Sequence, residues 1–390
     1  MSLLPLAIAI LINFSIGQFY AWSVLVAPLE DALGADRSDI SLPYSISFIT
    51  MTIGMFVSHS LLKNISFPYL LFVIFTLGGL GLAIAGYLEA LWSLIVGYGV
   101  LFGFTIGVGY FLAMTAASLK LPVRPSIALS LNMSAFAGGG LVWPPIFKVI
   151  IDWHGPHAVL LLSSMYLIIV GSIGGVLMYT ARLPAHSGSE EGGGMFGQIL
   201  TREPKTFILL WISFILFGFA ALMSIGHAAG IAIDYGIPAD QAYWAPMLIN
   251  LVYIGCALTA GIICDWITGK RVLIGIAAMT AIPLLLLFVA PSPATSLIAL
   301  AVVGGAFGAS SSAYPVTVAG YYGVAALPRI YGRMATAFGI SGLAGPLAAG
   351  LLYDWQGDYS IAILIASILA GAGVVTLWLL PRMKAKVLTD

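Results

Sequence analysis

Charge is scarce in this sequence. Asp, Glu, Lys and Arg together make up 8% of 390 residues, against about 25% in an ordinary soluble domain. With 61% hydrophobic residues, a water-soluble core of this size could not hide the apolar surface, so the expected solvent is lipid. The formal net charge of zero speaks against a nucleic-acid partner. The two cysteines, Cys256 and Cys264, stand eight residues apart in one apolar segment. On a helix that is roughly 12 Å, too far for a disulfide. No basic region precedes the apolar run that begins at Leu3, so the N-terminus reads as a spanning helix rather than a cleaved leader. Catalytic signatures are missing as well. There is no Gly-Lys-Ser/Thr phosphate loop, no His-Glu-x-x-His and no Gly-x-Ser-x-Gly, which argues against an enzyme and against a cofactor.

What is abundant is apolar sequence in runs of spanning length. Twelve are expected, near 4–27, 39–62, 68–87, 91–117, 125–150, 156–180, 205–231, 241–263, 271–290, 294–318, 328–353 and 359–380. Turn residues punctuate them, among them Gly155-Pro156, Pro238 and Pro291-Ser292-Pro293. The longest polar stretch, 182–204, includes Ser187-Gly188-Ser189-Glu190-Glu191-Gly192-Gly193-Gly194 and has the composition of a flexible linker. It separates an N-terminal bundle, 1–181, from a C-terminal bundle, 205–390, with six spans each. The expected fold class is therefore all-α and polytopic.

The basic residues orient the chain. One side receives Lys63, Lys120, Arg124, Arg182, Arg202, Lys205, Lys270, Arg271, Arg329, Arg333, Arg382, Lys384 and Lys386. The other receives only Arg37 and Lys148. Such a bias places both termini in the cytoplasm, in a bacterial or archaeal inner membrane.

The halves repeat at an offset of 202 residues. Ala135, Phe136, Gly140, Leu141, Pro144, Asp152, Trp153 and Gly155 match Ala337, Phe338, Gly342, Leu343, Pro346, Asp354, Trp355 and Gly357. Six spans per repeat give both halves the same orientation, as described for major-facilitator transporters. After the eighth span, Gly261, Asp265, Gly269, Lys270 and Arg271 resemble that superfamily's cytoplasmic loop motif. The resemblance implies a conformational latch in Gly261, Asp265, Gly269 and Arg271, with Gly261 allowing close helix approach. Three further stretches narrow it: Gly17–Leu29 with Tyr44-Ser45, then Met223–Ile237, then Ile330-Tyr331-Gly332 through Tyr359. Together they resemble the oxalate/formate-antiporter and monocarboxylate-porter branch. That branch often holds its carboxylate with an arginine in the eighth span, whereas Asn250–Gly261 contains no base.

Polar residues deep in lipid are costly unless they face a cavity or bond within the bundle. The candidate substrate ligands are Asn13, Gln18, Tyr20, Tyr110, Asn132, His227, Asn250, Tyr253, Ser311 and Tyr314. His227 doubles as the candidate for proton coupling, because its ordinary pKa is near 6.5. The expected function is secondary transport of a small organic anion, most readily a monocarboxylate, by proton symport or anion exchange. Two alternatives stand beside it. One is a neutral solute, suggested by the uncharged passage. The other is Cu(I), through Met223, His227 and Met247. The expected partners are the small-molecule solute, protons and membrane lipid, with no nucleic acid, around a monomer.

Overall fold

The computed structural model describes residues 3–119, 125–180, 204–323 and 326–381. Apart from Pro204, the linker expected at 182–204 lies outside the described residues, as does the side chain of Asp265. Twelve helices are long and apolar enough to cross a membrane. They are α1 (Leu4–Val24), α2 (Arg37–Asn64), α3 (Phe67–Leu88), α4 (Leu91–Ala117), α5 (Pro125–His154) and α6 (Pro156–Thr180). The second set comprises α7 (Pro204–Gly226), α8 (Trp244–Trp266), α9 (Gly269–Val289), α10 (Pro293–Tyr322), α11 (Leu327–Gln356) and α12 (Ser360–Trp378). No strand occurs among the described residues. The expected boundaries fall within a few residues of these. The exception is α7, which breaks at His227 and resumes as a short helix, Ala228–Asp234.

The repeat has a backbone cause. Gly155 and Gly357 end α5 and α11 with φ of 81° and 85°. Their amides close the last turn on Ile151 O (2.9 Å) and Tyr353 O (2.7 Å). A left-handed cap favours glycine, which has no Cβ to clash there. The neighbouring Trp153 and Trp355 are 80% and 74% exposed, the habit of indoles at a membrane–water boundary.

Within the first bundle, α1 crosses α5 at backbone contact. Gly17 lies against the Phe136 carbonyl and Gly139, and Gly139 against Phe14 and Gly17. Without a hydrophobic force between helices in lipid, such close approach supplies the attraction. Past this crossing α1 tightens into a 3₁₀ helix over Gly17–Val24. In α4, Ile95–Phe102 winds with wider π turns, and the Thr50 hydroxyl of α2 donates to Gly99 O at 2.6 Å.

The bundles meet along α2–α11 and α5–α8, and through the 3₁₀ part of α1. One end of the molecule carries the turns at 34–36, 235–243 and 357–359; call it the distal end. The other, where the helices flanking 182–204 terminate, is the terminal end. Along α2–α11, contact runs from the distal end to mid-helix: Ser38 and Ser41 on Gly350, Phe48 on Gly342, Thr52 on Gly339. Toward the terminal end, Gly332 of α11 and Gly255 and Gly261 of α8 have no neighbour within Cβ reach. The seam between the bundles is thus closed distally, while these glycines nearer the terminal end face open space. Gly261 does not mediate the helix approach expected of it here, because its face of α8 has no neighbour within Cβ reach.

Candidate functional site

Beside this seam several tyrosines come from both bundles. Tyr20, on the tightened part of α1, packs edge-on to Phe136 of α5 at 5.0 Å and reaches Phe307 of α10, across the bundle boundary, at 6.4 Å. Tyr110 of α4 also lies on Phe136 (6.0 Å), and Tyr253 of α8 on Phe307 (5.9 Å). Tyr20 lies in the neighbourhood of Tyr110 and Tyr253, and these two in that of Tyr331 of α11. Tyr253 further pairs with the Ser311 side chain, and Tyr314 with Ser213 at 3.1 Å. Four helices from both bundles therefore bring phenols to one place. No Asp, Glu, Lys or Arg occurs in 91–117, 206–233, 241–264 or 334–353, while Arg329 and Arg333 flank Tyr331. Tyr331 is the phenol that sequence reasoning passed over. It sits only four residues into α11, near the end of the expected span, where depth does not single a residue out.

The amides go elsewhere. Asn13 donates to Asn132 O at 2.9 Å, Asn132 to Met114 Sδ at 3.4 Å, and Asn250 to Pro246 O at 2.8 Å while lying against Gly140. All three are fully buried in helix contacts, each with its Oδ1 unpartnered. Gln18 donates to Ser15 O at 3.0 Å and lines a small void inside the first bundle with Tyr98, Phe102 and Ser163.

His227 belongs to the distal seal. Its Nε2 lies 2.9 Å from Pro346 O and 3.3 Å from Ser41 Oγ, and its Nδ1 lies 2.8 Å from Tyr359 Oη. The carbonyl can only accept, so Nε2 carries the proton and Nδ1 accepts from the Tyr359 hydroxyl. Tyr359, just before α12, is buried, which raises its phenol above the ordinary value and keeps its proton in place. Arg37 Nη1 donates to Tyr359 Oη at 2.9 Å. The same guanidinium clasps Glu30 at 2.5 and 2.6 Å and lies 3.9 Å from the Tyr353 ring centroid. Asp354 accepts from the Arg37 and Ser38 amides, both at 2.9 Å, so α11 of one bundle caps α2 of the other. Asp234 holds the Tyr359 amide at 2.9 Å. In this arrangement both His227 nitrogens are engaged in hydrogen bonds within the seal.

Of the expected latch, Gly269 packs on Thr317 of α10, Arg271 is exposed, and the Asp265 side chain lies outside the described residues. Lys270 donates to the carbonyls of Trp378 and Leu380 at the end of α12. The loop thus ties α9 to its own bundle in this conformation.

The sequence profile of the Major Facilitator Superfamily matches residues 210–389, within the second bundle, which carries His227, Asp354 and Tyr359 of the seal. The uncharacterized MFS-type transporter YhjX of Escherichia coli (strain K12) is 23% identical over 346 residues, covering 86% of this chain and 84% of that protein. Over the second bundle the chain is similar to the major facilitator superfamily. It is a transporter and not an enzyme. Monocarboxylate transporter 11 of Mus musculus is 24% identical, covering 78% of this chain and 70% of that protein. Two solved structures share the fold. A bacterial homolog of the human lysosomal transporter Spinster, in an inward-facing and occupied conformation, gives a TM-score of 0.78 at 11% identity, covering 97% and 96% of the two chains. A D-xylose-proton symporter gives 0.72 at 15% identity, with 97% of each covered.

Proposed function

We propose that this transporter carries a small monocarboxylate across a bacterial inner membrane by alternating access, with proton symport or anion exchange. The observation that supports the reading is the gathering of the Tyr20, Tyr110, Tyr253 and Tyr331 phenols from both bundles. Phenol O–H groups donate to a carboxylate, and in a dry pocket such bonds gain strength. They offer a way to hold the anion without an arginine in α8. The likeness to monocarboxylate transporter 11 points the same way. Cationic residues gather at the terminal end, so we place that end in the cytoplasm and read the conformation as inward-open. The domains are read as two six-helix bundles joined by a cytoplasmic linker, working as a monomer.

A second reading has its own support. The aromatic cluster suits a neutral solute equally well, since phenols and ring faces bind hydroxyl-rich molecules. Uptake into proteoliposomes separates the two. Lactate, pyruvate, formate and oxalate are compared with neutral sugars under an imposed pH gradient. The carboxylate reading expects saturable uptake of a monocarboxylate, weakened about 2–10-fold in apparent affinity by Tyr20→Phe, the worth of one neutral hydrogen bond. Sugar uptake with no carboxylate uptake would replace it by the second reading.

A further inference from the structure

We propose that the distal gate closes only on a neutral His227, which makes this histidine the positioning residue of the gate rather than a carrier of substrate or proton. The inference goes beyond the substrate reading and needs no substrate to be true. It rests on the direction of the bonds. Arg37 donates to Tyr359, Tyr359 to His227, and His227 to Pro346 O. Each group gives one proton forward and receives one from behind. A second proton on His227 would sit on Nδ1, facing a Tyr359 oxygen that already accepts from Arg37. The middle bond would have to reverse, the Tyr359 proton would lose its acceptor, and a second cation would be sealed beside the guanidinium.

The charged and titratable groups around the imidazole come from every neighbouring element. From α2 come Arg37 with Ser41 and Tyr44, and Glu30 stands behind Arg37. From α11 come Tyr353 and Asp354, from the start of α12 Tyr359, and from its own segment Asp234. Arg37 repels a charge on the ring and Asp354 attracts it. Both Asp354 oxygens are committed to the α2 amides, and both Glu30 oxygens to Arg37. Asp234 holds the Tyr359 amide and Asp358 the Ser360 amide and hydroxyl, and among the described residues no carboxylate is ion-paired with the imidazole in the closed gate. Proton binding and closure therefore compete, and by linkage each opposes the other. Once the bundles part, Nδ1 faces water and protonates without hindrance. Acid on the distal side holds the gate open, and the proton leaves before the gate shuts.

The test reads gate distance directly. Cys256 and Cys264 are replaced by serine, and spin labels are attached through Asp31→Cys and Asp240→Cys, two exposed distal positions on opposite bundles. Pulsed electron–electron distances are recorded in lipid nanodiscs at pH 8 and pH 5. With His227 present, the long-distance population is expected to grow at least threefold on acidification. With His227→Gln, whose amide can donate to Pro346 O and accept from Tyr359, it is expected to stay constant, and proton-linked uptake is expected to persist. His227→Asn serves in the same role if the glutamine variant does not fold. Distances that ignore pH with His227 present, equal growth in the amide variants, or loss of proton coupling with unchanged distances would each overturn the proposal. None of these results bears on whether the cargo is a carboxylate.

Discussion

The repeat brings two corners of the molecule into direct comparison: α11 against α2, and α5 against α8. At the first, Gly350 lets the Ser38 backbone approach and Asp354 caps α2. At the second, Lys148 stands where the offset of 202 places Gly350, and Asp152 where it places Asp354. Lys148 fills the space and binds Asp152 for itself, one helical turn on. The same acidic residue on the same helix end thus clasps a partner bundle in one half and its own helix in the other. A duplicated sequence can keep its motif and lose the motif's contact through one neighbouring side chain.

The comparison can be broken from either side. The largest effect is expected from Gly350→Leu, which puts a side chain where the α2 backbone lies. Overpacking of this kind costs about 1–3 kcal/mol. Here it falls on the closed-gate state, so uptake is expected to drop more than tenfold while the protein still folds by size exclusion. Next comes Asp354→Asn. Hydrogen bonds to a charged group contribute roughly 1.5–3 kcal/mol, and the amide keeps only part of that. The gate-open population in the spin-label experiment is expected to rise several-fold at pH 8. The smallest is Asp152→Asn. An exposed pair of this spacing contributes about 0.3–0.5 kcal/mol, so neither uptake nor gate distance is expected to change measurably. A loss as large as that of Asp354→Asn would show that the α5–α8 corner is clasped too.

Architecture was readable because lipid imposes it: span length, the charge bias and the shared Asp-Trp-x-Gly ending are all local signals. Tyr20, Tyr110 and Tyr253 lie on a shared aromatic cluster through Phe136 and Phe307. Which way a residue faces was not readable. Asn13, Asn132 and Asn250 sit at similar depth, yet turn into helix contacts. In spans that are apolar all round, periodicity carries little information about facing. The clasp was hidden for another reason. Arg37 and its partners Asp354 and Tyr359 are 317 and 322 residues apart, and Arg37 drew notice only as one of two cations on the sparse side. His227 stood out as an ionisable group, but its partners decide what it does, and they come from α2, α11 and Tyr359.

The Glu30–Arg37 ion pair lies wholly within the first bundle. Parting the bundles separates Arg37 from Tyr359 and Tyr353 but leaves its counter-charge attached. The gate therefore works without unmasking a bare guanidinium at the mouth of an apolar channel. What breaks is a set of hydrogen bonds and one helix cap, so ionic strength should tune the speed of this door only weakly.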